Sequence, residues 1–310
     1  MKEWDLERES KPNILSKLYG RGKTFDAFSS LIVAMMSVFC YIFITGMVSL
    51  SFKLVVKMTN AGADEGKIET LTQRYSGLFG IVGNIVALSA AVLVIYLFGM
   101  KVTRALRFDK PPALWSVAPA FILGLALNFL CDTAIGLIPF PQSMIDRYNE
   151  VYSFLGSGSK VAEFVAIALV GPVVEEIVFR GMAYGSMRSR MPKALAVIIS
   201  SALFGAAHAN MISFIFTFML GVFLAIAFEF SDSLFIPVII HVEFNASSYI
   251  VSYVLEKTGT ETHILICIIS AVASAAALFL TILPYVKRRK KEAIKLQENN
   301  TEIINGDKNI

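Results

Sequence analysis

Long apolar stretches recur along the whole chain and limit what it can fold into. An α-helix needs about 20 mostly apolar residues to cross a bilayer, and windows of that kind give eight candidates. They cover residues 28–52, 77–100, 114–138, 162–182, 194–209, 211–228, 234–255 and 264–285. The fifth is the shortest and the least suited to crossing a bilayer. The pattern predicts an all-α polytopic bundle with about eight transmembrane spans.

The composition agrees with a membrane protein. Of the 310 residues, 55% are hydrophobic and 17% are charged, and the mean hydropathy is +0.64. Soluble domains carry roughly 25% charged residues. The net charge of +4 does not require a nucleic-acid partner. We therefore expect the chain to have lipid around it and no nucleic acid bound to it.

The loops divide the chain into three segments and predict its orientation. We expect an N-terminal segment (1–27), a transmembrane bundle (28–285) and a basic, then polar tail (286–310) that is disordered past Lys295. With the N-terminus in the cytoplasm, the inner segments hold 20 lysines and arginines and the outer loops hold seven. The positive-inside rule therefore predicts a multi-pass protein of the cell (plasma) membrane with both termini in the cytoplasm.

Besides Glu163 at its start, the fourth apolar stretch contains three charged side chains: Glu175, Glu176 and Arg180. Each costs about 2.5 to 3.5 kcal/mol near the bilayer centre, so their presence calls for an explanation beyond packing. On a helix Arg180 can neutralise Glu176, whereas Glu175 is rotated about 100° away. A buried salt bridge that orients the helix explains only one of the two glutamates. The other is suited to act as a general base, because a low dielectric helps a carboxylate to take up a proton.

Two of the three histidines also lie inside apolar sequence. His241 precedes Asn245 by four residues, so both side chains share one helix face and can converge on one substrate oxygen or bond two helices together. His208 follows Phe204 by four residues, and the small residues between them allow another helix to approach closely. A core histidine bonded to a backbone carbonyl is an equal alternative for His208.

Together these motifs resemble the CAAX protease and bacteriocin-processing family, also called the Abi family of intramembrane endopeptidases. The string EEIVFRG at 175–181 matches its EExxxR signature, residues 204–208 match its FxxxH motif, and residues 241–245 match its HxxxN motif. All three occur in the family's order on separate predicted helices. The family-like core covers about 160–255 and excludes the first three spans and both tails.

The resemblance implies a glutamate-dependent endopeptidase with a catalytic cavity between the fourth, fifth and seventh helices. Glu175 would take a proton from water, helped by His208, and the hydroxide would attack a peptide carbonyl. His241 and Asn245 would donate hydrogen bonds to the oxyanion, each worth roughly 2.7 to 4 kcal/mol where this has been measured in other enzymes. Three further residues would hold the base in place or bind the substrate: Glu176, Arg180 and Phe204.

The implied substrate is a membrane-associated peptide or a protein C-terminus: a bacteriocin, a signalling peptide or a CAAX-like sequence. No cofactor is expected, although two histidines and a glutamate could bind zinc with water in the open position. The sequence has no HExxH motif, which disfavours a metal. Two other functions stay open: an immunity or regulatory protein that binds a partner membrane protein without cutting it, and a transporter whose carboxylates relay protons. The non-enzymatic binder would survive Glu175→Ala, whereas the endopeptidase would not.

Overall fold

The computed structural model describes residues 23–97, 101–155, 158–188, 190–208 and 210–307, and every regular element in these ranges is a helix. In chain order the helices are α1 (Lys23–Thr59), α2 (Glu65–Arg74), α3 (Ser76–Leu97), α4 (Val102–Ala105), α5 (Leu114–Gly136), α6 (Gln142–Leu155), α7 (160–187), α8 (Lys193–Ala206), α9 (Met211–Ser231), α10 (Phe235–Glu256) and α11 (Thr260–Asp307). The predicted all-α membrane bundle is confirmed.

Each of the eight predicted apolar stretches coincides with a helix, but fewer than eight of these helices can cross a membrane by length and composition. Five described helices can do so, namely α1, α3, α5, α9 and α11, and α10 makes a sixth if its two parts, bent by 43°, are one span. With 14 residues, α8 rises only about 21 Å, less than a bilayer core of about 30 Å. The charged side chains of α7 separate it from an ordinary span.

Helix α7 is the central element and is not a uniform α-helix. Two π-helical segments, Val165–Val170 and Ile177–Tyr184, flank the α-helical turn Gly171–Glu176 that holds both glutamates. Such wide turns often occur at functional sites. Helices α1, α3, α8 and α10 pack around α7. The glutamate pair is therefore presented by one regular turn between two irregular ones.

Small residues let α3 and α7 come into backbone contact. A Cβ atom placed on Gly77 would lie 2.5 Å from the backbone nitrogen of Glu163, far inside contact distance. The buried Glu163 also accepts hydrogen bonds from the Ser76 hydroxyl at 3.1 Å and the Gly158 backbone at 2.9 Å. These contacts fix the start of α7 against the start of α3.

Charged groups tie four helices together at the opposite end of α7, which we call the basic end. Asp232, in the left-handed conformation after α9, pairs with Arg107, Lys110 and Arg188. Glu229, one turn earlier, pairs with Arg188 at 3.0 Å and with Lys193 at 2.5 Å. Arg188 directly follows α7, Lys193 begins α8, and Arg107 and Lys110 lie in the loop before α5. The network therefore fixes these helix ends relative to one another.

The C-terminal tail differs from the prediction. Helix α11 continues past Lys295 to Asp307, where we expected disorder. The residues just before this segment, 286–295, are largely good helix formers, and Arg288 and Glu292 make an i,i+4 ion pair at 2.9 Å that supports the helix there. Residues 308–310 and most of the predicted segment 1–27 lie outside the described part of the chain.

Candidate active site

A fully buried ion pair on α7 lies at the centre of the site. Arg180 Nη1 donates to Glu176 Oε1 at 2.9 Å, and both side chains have 0% exposure. Arg180 Nη2 donates to the carbonyl of Gly221 on α9 at 3.1 Å. The guanidinium carbon lies 4.6 Å from the ring centroid of Phe204 on α8. The i,i+4 pair expected from the spacing is thus present and connects α7 to two neighbouring helices.

His241 on α10 lies between the two glutamates. Its Nδ1 is 2.9 Å from Glu176 Oε1, and its Nε2 is 3.6 Å from Glu175 Oε2. Because a carboxylate only accepts hydrogen bonds, Nδ1 carries the hydrogen and donates to Glu176. The sequence analysis assigned His241 to a substrate oxygen. In the structure one of its two nitrogens is already engaged, and the other faces Glu175.

Glu175 is the more accessible of the two glutamates, with 19% of its side chain exposed against 0% for Glu176. Its Oε1 accepts a hydrogen bond at 3.3 Å from the hydroxyl of Tyr41 on α1. Glu175 thus has a hydrogen-bond partner on a helix outside the motif region, which the spacing of the motif does not indicate. Glu175 still differs from Glu176 in having no guanidinium beside it in the described contacts.

The ring of Phe204 contacts both histidines. Its centroid lies 5.0 Å from that of His208 and 5.5 Å from that of His241, both edge to face. His208 Nδ1 is 2.9 Å from the Phe204 carbonyl and therefore carries the hydrogen of that bond. This is the carbonyl-bonded state that we kept as the alternative for His208. It leaves Nε2 of His208 as the acceptor.

Asn245 is bonded to the backbone of α7. Its Nδ2 donates to the carbonyl of Ile167 at 2.8 Å. The Gly171 N–H bonds to Ala166 in the wide register, so the next donor in line for Ile167 is residue 172, a proline without an N–H. Asn245 therefore satisfies a carbonyl that the helix itself cannot. One amide hydrogen and the amide oxygen of Asn245 remain for other partners.

The sequence analysis missed two polar residues that the first two spans bring to the site. The Tyr41 hydroxyl lies 3.2 Å from Asn84 Oδ1 on α3, as well as 3.3 Å from Glu175. Asn84 could have been noticed as an amide inside an apolar stretch. Nothing in the local sequence marks Tyr41, since an aromatic residue in a span is ordinary.

The charges of the site nearly balance. Glu175 and Glu176 carry two negative charges and Arg180 one positive charge, so one proton on His241 or Glu175 makes the cluster neutral. Buried clusters favour neutrality because an uncompensated charge is poorly solvated there. Among the described residues, no group of three or more His, Cys, Asp and Glu side chains is arranged to hold a metal ion. Arg180 would also repel a divalent cation placed on Glu176.

Comparison with known proteins points to the same segment. Residues 157–247 match the family model described as Type II CAAX prenyl endopeptidase Rce1-like. "Putative membrane peptidase YdiL" of Bacillus subtilis (strain 168) is 24% identical over 199 residues, which cover 61% of this chain and 80% of that protein. The matched segment contains all seven site residues predicted from the motifs, whereas Tyr41 and Asn84 lie outside it. Residues 157–247 are thus similar to a CAAX-type peptidase family, and the resemblance predicted from the motifs is confirmed.

Proposed function

We propose that the chain is an intramembrane endopeptidase in which Glu175 activates a water molecule. The observation that carries this proposal is the different surroundings of two adjacent carboxylates. Glu176 is fully buried between Arg180 and His241, whereas Glu175 is partly accessible and faces the second nitrogen of the same histidine. The first is suited to a fixed structural charge and the second to proton transfer.

A water molecule has a suitable position beside Glu175. Glu175 Oε2 and His241 Nε2 are 3.6 Å apart, too far for a good direct hydrogen bond but close enough for one water to contact both. Glu176 holds His241 Nδ1–H, which fixes the imidazole so that Nε2 keeps facing Glu175. A general base must lie within hydrogen-bond reach of the proton that it takes, and this arrangement provides that reach.

The proposed hydrolysis uses only these groups and water. Glu175 takes one proton from the water, whose oxygen forms a bond to the peptide carbonyl carbon. The tetrahedral intermediate then collapses, the C–N bond breaks, and the proton on Glu175 passes to the leaving nitrogen. The products are a carboxylic acid and an amine. When protonated, His241 would neutralise the site's excess negative charge and present an N–H to the oxyanion.

Two other predicted residues take positions around this centre. His208, with its hydrogen on Nδ1 bonded to Phe204, has Nε2 available as a proton acceptor, consistent with an auxiliary role in moving protons. Asn245 has one amide hydrogen left after its bond to Ile167. That hydrogen is the candidate second donor to the substrate oxyanion.

The proposed substrate is a peptide bond in or near the bilayer. His241 lies six residues, about 9 Å, beyond the start of α10, and Gly221 lies ten residues, about 15 Å, before the end of α9. Both of those helix termini are at the basic end, which the positive-inside rule assigns to the cytoplasm. We propose a substrate reached from that side: a CAAX-like C-terminus, a signalling peptide or a bacteriocin precursor.

Cleavage by the purified protein in liposomes tests this function. The first probe is an internally quenched peptide with a farnesylated cysteine four residues from its C-terminus, and the second is the same peptide without the lipid. The third arm compares the peptide termini found in membranes of cells that carry wild type with those of cells that carry Glu175→Gln. This arm does not require a substrate to be chosen. We expect cleavage in at least one arm and its loss in Glu175→Gln.

Glu243→Gln is the matched control, because Glu243 lies on α10 against Gly124 of α5 and touches no group of the site in the described contacts. It should cleave like wild type. Equal cleavage by Glu175→Gln and wild type would refute the role of Glu175 as base. If Glu175→Gln and Glu175→Ala both keep the cellular function and no arm shows cleavage, the chain is a binding protein. Loss of cleavage with a chelator, restored by zinc, would replace this mechanism with a metal-dependent one.

A further inference from the structure

Two side chains from helices outside the matched segment form a hydrogen-bonded chain that ends at Glu175. Tyr41 reaches it from α1, and Asn84 reaches Tyr41 from α3. The two O···O distances, 3.3 Å to Glu175 Oε1 and 3.2 Å to Asn84 Oδ1, are both longer than the usual 2.7 to 2.8 Å for a hydroxyl donor. A single O–H placed between two acceptors gives this pattern, since it can donate fully to only one of them.

The side-chain amide of Asn84 is oriented so that its Oδ1 accepts a hydrogen bond from this hydroxyl. Its Nδ2 donates to the carbonyl of Gly80, one turn earlier on α3, at 2.9 Å. Turning the amide over would place two carbonyl oxygens against each other, so Oδ1 has to face Tyr41. The phenol therefore has a second resting position whose geometry is set by α3 and does not depend on Glu175.

The packing around Tyr41 holds its ring in this position. The ring lies edge to face with Phe179 of α7, with centroids 6.1 Å apart and planes at 81°. One turn later on α1, Thr45 packs against Gly83, the residue before Asn84, at 3.6 Å from the position of a Cβ. The hydroxyl can thus rotate between its two acceptors while the ring stays in place.

Resting on the proposed function, we propose that Tyr41 is a positioning residue for the general base and that Asn84 is its alternate acceptor. While Glu175 is charged, the phenol donates to Oε1 and holds that oxygen on the α1 side, which leaves Oε2 facing His241 and the water. When Glu175 has taken the proton from water, it no longer attracts the phenol hydrogen strongly. The phenol then turns to Asn84 Oδ1. No proton leaves Tyr41 in this cycle.

The proposal predicts how the titration of Glu175 responds to its neighbours. The titratable and charged groups that face it are Tyr41 from α1, His241 from α10, and Glu176 and Arg180 from its own helix. A hydrogen bond donated to a carboxylate favours the charged form. Removing the phenol should therefore let Glu175 take up a proton at higher pH. Removing Asn84 should do the reverse, because the phenol then has only Glu175 to donate to.

Infrared difference spectroscopy on the purified chain in lipid tests this directly and needs no substrate. The carboxylic acid C=O band that is lost in Glu175→Gln reports protonation of Glu175. In Tyr41→Phe the midpoint of this band should move up by about one pH unit, the lower end of what a hydrogen bond to a charged group supplies. In Asn84→Leu it should move down. Tyr96→Phe is the control, since that tyrosine on α3 is 71% exposed, and it should not move the band.

A cleavage assay adds a second readout. The acidic limb of kcat/KM against pH should move in the same directions, with about tenfold lower kcat/KM for Tyr41→Phe on that limb and near-wild-type values above it. If Tyr41→Phe loses the same fraction of kcat/KM at all pH values and does not shift the infrared band, Tyr41 is only a packing residue. Shifts of the same sign in Tyr41→Phe and Asn84→Leu would also overturn the proposal. If no variant or wild type cleaves any probe, the proposed function fails, and the infrared result still decides the role of Tyr41.

Discussion

Removal of Arg180 is the sharpest test of how the site is held together. In Arg180→Met the side chain keeps a similar length and loses its charge, while Glu176 keeps 0% exposure among the same neighbours. The carboxylate then retains only His241 as a partner, and Gly221 loses the donor to its carbonyl. The variant thus leaves a buried carboxylate with no counter-charge beside it.

The expected loss of stability in Arg180→Met follows from the burial of both Arg180 and Glu176. Breaking a buried pair by removing one partner costs about 3 to 5 kcal/mol, because the other charge stays uncompensated. With an unfolding entropy of about 2.1 cal/mol/K per residue, a chain of 310 residues would lose roughly 5 to 8 °C in Tm. Arg288→Met is the matched control, since Arg288 and Glu292 form an i,i+4 pair of the same length, 2.9 Å, with side chains 79% and 58% exposed. That change should lower Tm by less than about 1 °C.

Thermal unfolding in detergent can be followed with a fluorogenic maleimide. Cys131 has 2% exposure and labels only when the bundle opens, provided that Cys40 and Cys267 are replaced by alanine. The double variant Glu176→Gln/Arg180→Met removes both charges and should regain part of the loss. Equal Tm values for the Arg180 and Arg288 variants, or a double variant less stable than Arg180→Met, would refute the assignment of a buried, mutually dependent pair.

Two further predictions concern backbone contacts of α7 and use the same assay. Asn245→Ala leaves the Ile167 carbonyl without its donor and should cost about 1 to 3 kcal/mol. In a Pro172→Ala background, where residue 172 regains an N–H, the loss should be smaller, and equal losses in the two backgrounds would contradict this account. Gly77→Ala forces α3 and α7 apart and should cost about 1 to 3 kcal/mol, whereas Gly46→Ala, with nothing within 4 Å, should be neutral or slightly stabilising.

The contacts of the site that could be predicted from the sequence are those between residues one helical turn apart. Glu176 and Arg180 are four residues apart and form an ion pair, and Phe204 and His208 are four residues apart and share a hydrogen bond. Helical periodicity fixes such neighbours before any tertiary contact forms. The order of the motifs and the hydropathy then gave the family and the all-α bundle.

Contacts between helices could not be predicted in this way. No spacing indicates that Tyr41 approaches Glu175 across 134 residues, or that Gly221 accepts from Arg180. The role of Asn245 depends on a wide turn in α7 that places Ile167 opposite Pro172, and a regular 3.6-residue period does not reveal that turn. Because the motif was read as a surface for the substrate, its contribution to the backbone was overlooked.

Five or six of the described helices are long and apolar enough to cross a membrane, against about eight predicted, because a hydropathy window does not register helix length or charge separately. Helix α8 is apolar but has only 14 residues, and it starts at Lys193, at the basic end, so its last turns, which contain the buried Phe204, stay inside the bundle. That short rise also explains how His208, which follows α8, lies next to groups in the interior. A straight full-length span would have carried His208 to the far surface.

Because the two glutamates are adjacent on one helix, their side chains have different surroundings. Consecutive residues on a helix point about 100° apart, so Glu176 is directed between α8, α9 and α10 while Glu175 is directed toward α1 and α10. Glu176 pairs with the Arg180 guanidinium and is fully buried, whereas Glu175 contacts the Tyr41 phenol and one imidazole nitrogen of His241. Arg180 thus compensates the inner carboxylate, and the accessible one has no guanidinium hydrogen-bonded to it in the described contacts. The buried salt bridge and the accessible carboxylate therefore belong to neighbouring residues of one site.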